Sequence, residues 1–180
     1  MDSDTRTRDG WIALRCQSGD PRAFEDLVRT METPLRYYAA KLAGPASALD
    51  VLQEAWVIAF RRLRRLKDPD SLRPWLYRIV HGVAVDRVRR DVARERAEEA
   101  HLENLPDVTL PSFATDDAPA IHRALDGLSP SHRDVLVLHF LEDFSLSEIA
   151  GIVQCPEGTV KSRLYHAKKA MRALLTQGDV

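Results

Sequence analysis

The chain has 180 residues, 44% apolar and 29% charged, with 26 Lys+Arg against 27 Asp+Glu and a formal net charge of −1. No uncharged apolar run approaches the ~20 residues that a membrane-spanning helix needs, and the aliphatic content is too high for a wholly disordered chain. Two cysteines, Cys16 and Cys155, are too few for a disulfide scaffold, and the opening MDSDTRTRDG lacks the apolar core of a signal peptide, so the chain reads as a cytoplasmic protein of one domain or two small ones.

The charge is unevenly spread. Residues 1–90 carry 17 Lys/Arg and 12 Asp/Glu, residues 91–117 carry 2 and 8, and residues 118–180 carry 7 of each. The middle stretch opens as DVARERAEEAHLENL, which can prolong a helix, and continues as PDVTLPSFATDDAP, which has the prolines and small polar residues of a linker. In the last part the cations gather between Pro156 and Arg172, which hold 5 basic residues and 1 acidic one. Local patches of this kind decide nucleic-acid binding more than net charge does.

Strand signals are absent and the predicted elements are all helices, giving an all-α protein of two small helical domains joined by an acidic linker. Residues 1–19 read as an N-terminal extension. Asp20 and Pro21 form an N-cap and first-turn pair, after which Phe24, Leu27, Val28, Met31 and Leu35 recur at helical spacing. Ser47 caps the next helix, Leu49–Leu66, whose inner side gathers Leu52, Trp56, Ala59, Phe60 and Leu63. Its outer side gathers Asp50, Gln53, Glu54, Val57, Arg61 and Arg64. Val57 stands out, because an apolar spot rimmed by charges suits a partner surface better than bare water.

A third helix opens near Ser71–Pro74 and runs to Arg90 or beyond. It buries Leu76, Ile79, Val80 and Val83 and turns Arg78, His81, Val85 and Arg89 outward, with Trp75 and Gly82 at the edge and Arg87 and Arg90 at a basic end. Arginine pairs bidentately with phosphate, and an exposed aromatic among arginines suits stacking on single-stranded bases; Trp75 and Tyr77 also suit a core.

After the linker, Ala120–Leu128 and Ser131–Leu141 read as helices. Ser145-Leu146-Ser147-Glu148 is a capping box that starts a short helix with Leu146, Ile149, Ala150 and Val153 inside. Gln154–Gly158 breaks it, and a longer basic helix follows with Val160, Leu164, Ala167, Met171 and Leu174 inside and Thr159, Ser162, Tyr165, His166 and Lys169 outside. Short helix, tight turn and basic second helix make a helix-turn-helix, whose second helix enters the major groove. The alternative for this block is a packed helical hairpin with a cationic surface.

Two blocks then stand together. DVLQEAWVIAFRRL with LRPWLYRIVHGVAVDRVRR resembles region 2 of bacterial sigma factors, and LSPSHRDVLVLHFLEDFSLSEIAGIVQCPEGTVKSRLYHAKKAMRALL resembles their region 4. With two regions and a linker, the chain resembles the extracytoplasmic function (ECF) group of the sigma-70 family. The implied domains are a region 2 domain over 20–90, the acidic linker over 91–117 and a region 4 helix-turn-helix domain over 118–176.

That resemblance implies a transcription initiation factor that brings RNA polymerase core to promoter DNA. Asp50, Gln53, Glu54, Val57 and Arg61 match the face that meets the clamp coiled coil of the largest subunit, and the flap region is the other expected polymerase contact. Trp75, Arg78, His81, Arg87, Arg89 and Arg90 match the face toward the −10 element. The Lys67–Arg73 loop corresponds to a segment that captures a flipped base, whose unstacking costs a few kcal/mol. Thr159, Lys161, Ser162, Arg163, His166 and Lys169 would read the −35 element. Relatives often carry Asn where this chain has Gly82, so no role transfers to that position.

The linker, with net charge −6 over 27 residues, would thread a basic channel of the polymerase. Promoter elements ~50–70 Å apart need it held stretched, since 27 extended residues reach up to ~90 Å but a coil averages ~30 Å. An anti-sigma factor is the expected regulator, and no direct membrane insertion is expected.

The competing reading is a sigma-like partner-switching protein that sequesters an anti-sigma factor without touching promoters. An enzyme is the third reading. No Gly-rich phosphate loop, metal-ligand spacing or nucleophile pair supports it, so no catalytic residue, cofactor or metal is expected.

Overall fold

The computed structural model describes residues 3–98 and 118–177, which fall in two units, Met1–Asp107 and Val108–Val180. Every regular element among the described residues is helical. In the first unit α1 spans Ser3–Gln17, α2 Ala23–Ala43, α3 Ala48–Arg62 and α4 Leu72–Glu98, with 3-10 turns at Leu63–Arg65 and Pro69–Ser71. The core is the apolar stripe of each helix: Leu27, Met31, Leu35 and Tyr38 from α2, Val51, Leu52, Ala55 and Ala59 from α3, and Leu72, Leu76, Tyr77 and Val80 from α4. Burying each large aliphatic side chain contributes about 1.5–3 kcal/mol. Tyr38 and Tyr77 pack with ring centroids 5.2 Å apart, so Tyr77 belongs to the core and Trp75 is half-buried.

The structure differs from the sequence reading most at the N-terminus. Residues read as an extension form α1, which packs on α2, α4 and both 3-10 turns. Ile12 and Ala13 are buried, and the buried Asp9 carboxylate accepts from Arg73 Nε at 3.1 Å. Helix starts differ too. The N-cap of α2 is Arg22, not Asp20, but Asp20 Oδ1 accepts from the Arg22 N–H at 2.9 Å and so organises the turn from two residues further out. That N–H, followed by the Arg15 guanidinium 2.7 Å away, holds the Asp20 carboxyl below its ordinary range. Ser47 stands at the N-cap of α3 with helical φ and ψ, so its side chain makes no cap bond; capping requires the extended backbone that turns the hydroxyl toward the open N–H groups.

The stretch read as linker begins inside α4, which continues to Glu98; the rest of it, up to 117, lies outside the described residues.

In the second unit α5 spans Ala118–Asp126, α6 Pro130–Leu136 with a π-turn over Val137–Leu141, α7 Leu146–Val153 and α8 Glu157–Gln177. Val135, Leu138, Phe144, Ile149, Ile152, Val160, Leu164 and Ala167 form its core. The end of α5 is closed by Arg133, which donates to the carbonyls of Leu125 (2.9 Å), Asp126 (2.7 Å) and Leu128 (3.1 Å), satisfying orphan acceptors that the helix leaves open. The capping box forms as its sequence demands. Glu148 N–H donates to Ser145 Oγ at 3.3 Å, while the Ser145 N–H and hydroxyl donate to Glu148 Oε2 at 2.9 and 2.7 Å. Gln154 ends α7 in the left-handed conformation (φ 54°), its N–H donating to Ala150 O. Pro156 then receives the N–H groups of Thr159 and Val160 at 2.9 and 3.2 Å and so launches α8.

Candidate functional site

The outer face of α3 presents Asp50, Gln53, Glu54, Val57 and Arg61 together, all exposed. Two neighbours missing from the sequence assignment join them: Leu49 and Phe60, which are 54% and 66% exposed. Helical angle alone puts Phe60 on the inner side, but the core positions are taken by Val51 and Ala55. Its ring instead lies at the surface, edge-on to Phe24 with centroids 5.0 Å apart. Phe60 and Phe24, with Arg61 and Arg64, line an open cleft of ≈ 540 Å³ beside the α1–α2 turn. Exposed apolar groups interleaved with carboxylates and arginines form a surface suited to a protein partner, since aromatic anchors ringed by polar groups carry most interface energy.

On α4, Arg78 and Arg89 are exposed, and Trp75 and His81 are half-buried. Arg87 and Arg90 take a different direction. Arg87 Nη2 donates to Asp50 at 3.3 Å and its Nε lies 3.4 Å from Asp91, and Arg90 lies 3.7 Å from Glu54. The structure thereby brings two residues assigned to DNA against two assigned to the polymerase. A signal for this was present in the sequence: Arg87 follows Leu76, Val80 and Val83 at spacings of four, three and four, so it continues the stripe that packs on α3. Arg89 pairs within its own helix, 3.8 Å from Asp86.

On α8 the buried Val160, Leu164 and Ala167 fix the rotation of the helix. Lys161, Ser162, His166 and Lys169 are exposed, and Thr159 and Arg163 lie half-buried at the border of the outer face. Tyr165, 65% exposed and edge-on to His166 at 5.3 Å, stands at the middle of that face together with Lys169. Both cysteines are half-buried thiols, and burial pushes that of Cys16 up. Among the described residues no group of three or more His, Cys, Asp or Glu is placed to hold a metal ion, and no helix is long and apolar enough to cross a membrane.

Two known family patterns match the chain, sigma-70 region 2 over residues 27–94 and sigma-70 region 4 over residues 119–171. The RNA polymerase sigma-H factor of Pseudomonas aeruginosa is 34% identical over 180 aligned residues, covering 93% of each chain. The chain belongs to the ECF group of the sigma-70 family. The ECF RNA polymerase sigma-E factor of Escherichia coli is 30% identical, covering 89% of this chain and 90% of that one, and sigma factor SigV of Bacillus subtilis is 32% identical over 74% and 78%. Among solved structures, CnrH in complex with the cytosolic domain of CnrY superposes with a TM-score of 0.66 at 27% identity, covering 96% of this chain and 99% of that one. The sigma factor RpoE of Bartonella quintana, solved with the anti-sigma factor NepR, shares the fold with a TM-score of 0.75 at 22% identity over 86% and 98%. This sigma factor is therefore of the alternative kind, a transcription initiation factor that works with RNA polymerase. The three relatives just described all carry the sigma factor name, which favours initiation over sequestration without promoters.

Proposed function

We propose that this sigma factor joins RNA polymerase core through the outer face of α3 and reads promoter DNA through α4 and α8. The observation that carries the polymerase assignment is the exposed apolar triplet Leu49, Val57 and Phe60 set among Asp50, Gln53, Glu54 and Arg61. The carboxylates suit a cationic surface such as the clamp coiled coil, and the apolar residues supply the contact energy that exposed charges alone do not. Phe140 and Leu141, pushed outward by the π-turn to 58% and 48% exposure, are the corresponding apolar spot for the flap region.

Trp75, Arg78, His81 and Arg89 form the −10 face, and Arg87 and Arg90 contribute to it only where DNA or polymerase displaces their present carboxylate partners. Thr159, Lys161, Ser162, Arg163, His166 and Lys169, joined by Tyr165, form the −35 reader. The chain acts by binding, in the cytoplasm, without cofactor or metal, and an anti-sigma factor is its natural antagonist: two of its structural neighbours were solved with partners of this kind or with a cytosolic domain seated on them.

Binding of fluorescently labelled chain to purified core polymerase tests the first assignment. Phe60→Ala is expected to weaken binding by about 2 kcal/mol or more, as a central aromatic anchor does, and wild-type affinity would remove the α3 face from the polymerase contact.

A further inference from the structure

We propose that α1 is a positioning element for promoter opening: it clamps both ends of the Lys67–Arg73 loop and presets the shape in which that loop captures a DNA base. The proposal rests on the assignment of that loop to a flipped base. At the near end, Gln17 Nε2 donates to Leu66 O at 2.7 Å and to Leu63 O at 3.3 Å, fastening the 3-10 turn from which the loop departs. At the far end, Asp9 holds Arg73 in an ion pair whose side chains are only 3% and 15% exposed. Between them α1 passes so close to the loop that a Cβ on Gly10 would run into the Asp70 carboxylate. These three ties join segments 46 to 64 residues apart, so they do not arise from local loop geometry.

The loop supplies its own inner brace. Asp68 accepts from the Asp70 N–H at 3.2 Å and from the Ser71 hydroxyl, which closes the 3-10 turn, while Lys67, Asp68 and Asp70 stay exposed. A loop ordered before DNA arrives loses less conformational entropy on binding, leaving more of the contact energy to offset the unstacking of a base. Site-forming groups held within a fraction of an ångström need such a supporting shell. The family pattern for region 2 starts only at residue 27, so α1 stands outside the segment that defines the domain and yet holds its opening loop.

The test uses holoenzyme assembled from full-length chain and core polymerase, on promoters whose −10 element is varied one base at a time. Gln17→Met keeps the side chain's bulk and removes the donor. It is compared with a loop variant carrying Lys67→Ala, Asp68→Ala and Asp70→Ala. Both are expected to lose at least about fivefold discrimination at the same single base, with −35 preference and core affinity unchanged and the Gln17→Met melting midpoint that of wild type. If Gln17→Met lowers the midpoint, Gln17→Asn, which retains the amide but falls short of Leu66 O, takes its place with the same expectation. If the loop variant loses discrimination and the Gln17 variant keeps it, the clamp is overturned while the loop assignment stands. If the loop variant keeps discrimination at every base, the loop assignment fails and the clamp with it.

Discussion

Gly82 sits on the exposed side of α4, where an added Cβ meets no atom within 4 Å and the backbone is helical. Nothing local requires glycine there, and glycine in a helix interior is about 1 kcal/mol less favourable than alanine. Gly82→Ala is therefore expected to stabilise the first unit by about 1 kcal/mol, seen as a higher denaturant midpoint at unchanged slope. Asp20 makes the α1–α2 turn sensitive to acid. Its carboxyl is held below the ordinary range by the Arg22 N–H and by Arg15, so the folded pKa lies under the unfolded one. Its stabilising contribution is present above about pH 4 and is lost as pH falls through the folded value. Asp20→Asn should flatten that part of the melting temperature against pH profile; an unchanged acid limb would place the titration elsewhere.

At the level of elements, the turn before α7 depends on one hydroxyl. Ser145→Ala removes the acceptor of the Glu148 N–H and the hydroxyl that donates to Glu148 Oε2, leaving only the backbone N–H of position 145 on that carboxylate, so the second unit should lose about 1 kcal/mol. The full chain's thermal melt checks it, and a wild-type midpoint would mean that the backbone N–H of position 145 on Glu148 and the apolar packing alone fix the start of α7. On α8, Arg163→Ala is expected to weaken −35 recognition by about 1–3 kcal/mol, read as the affinity difference between cognate and mutated −35 DNA; equal losses on both would make Arg163 a phosphate contact. The helices α2, α3, α4, α7 and α8 were legible because their apolar residues recur at three and four, and Pro21, Gly44, the capping box at Ser145 and Pro156 punctuate the chain beside three of them. By contrast, α1 was not legible, because its apolar run mixes buried Ile12 with exposed Trp11 and Leu14, and its ties reach Leu63, Leu66 and Arg73. Phe60 misled for the opposite reason: helical angle put it near the inner stripe, and only the packing of Val51 and Ala55 shows that the core is full without it.

Over the whole molecule, a net charge of −1 is the sum of a basic first part, an acidic stretch over residues 91–117 and a last part whose cations concentrate on α8. Within the first unit several of those cations are already engaged, Arg15 with Asp20 and Asp26, Arg73 with Asp9, Arg87 with Asp50 and Asp91. On the proposed assignment such a chain is expected to bind DNA feebly alone and to recognise promoters as part of the polymerase, because contacts spread over separate modules gain effective concentration only when a common scaffold holds them. On that same proposed assignment, α3 is the docking face on which that assembly depends. Run-off transcription with purified core polymerase, at a promoter that wild-type chain activates, tests it most directly using Asp50→Arg. The variant, which gives up the half-exposed Asp50–Arg87 pair, is expected to keep a cooperative melt lowered by no more than about 1 kcal/mol and its weak binding to isolated promoter DNA, while losing specific transcript and core binding together; full transcript at wild-type polymerase concentration would contradict α3 as the docking face.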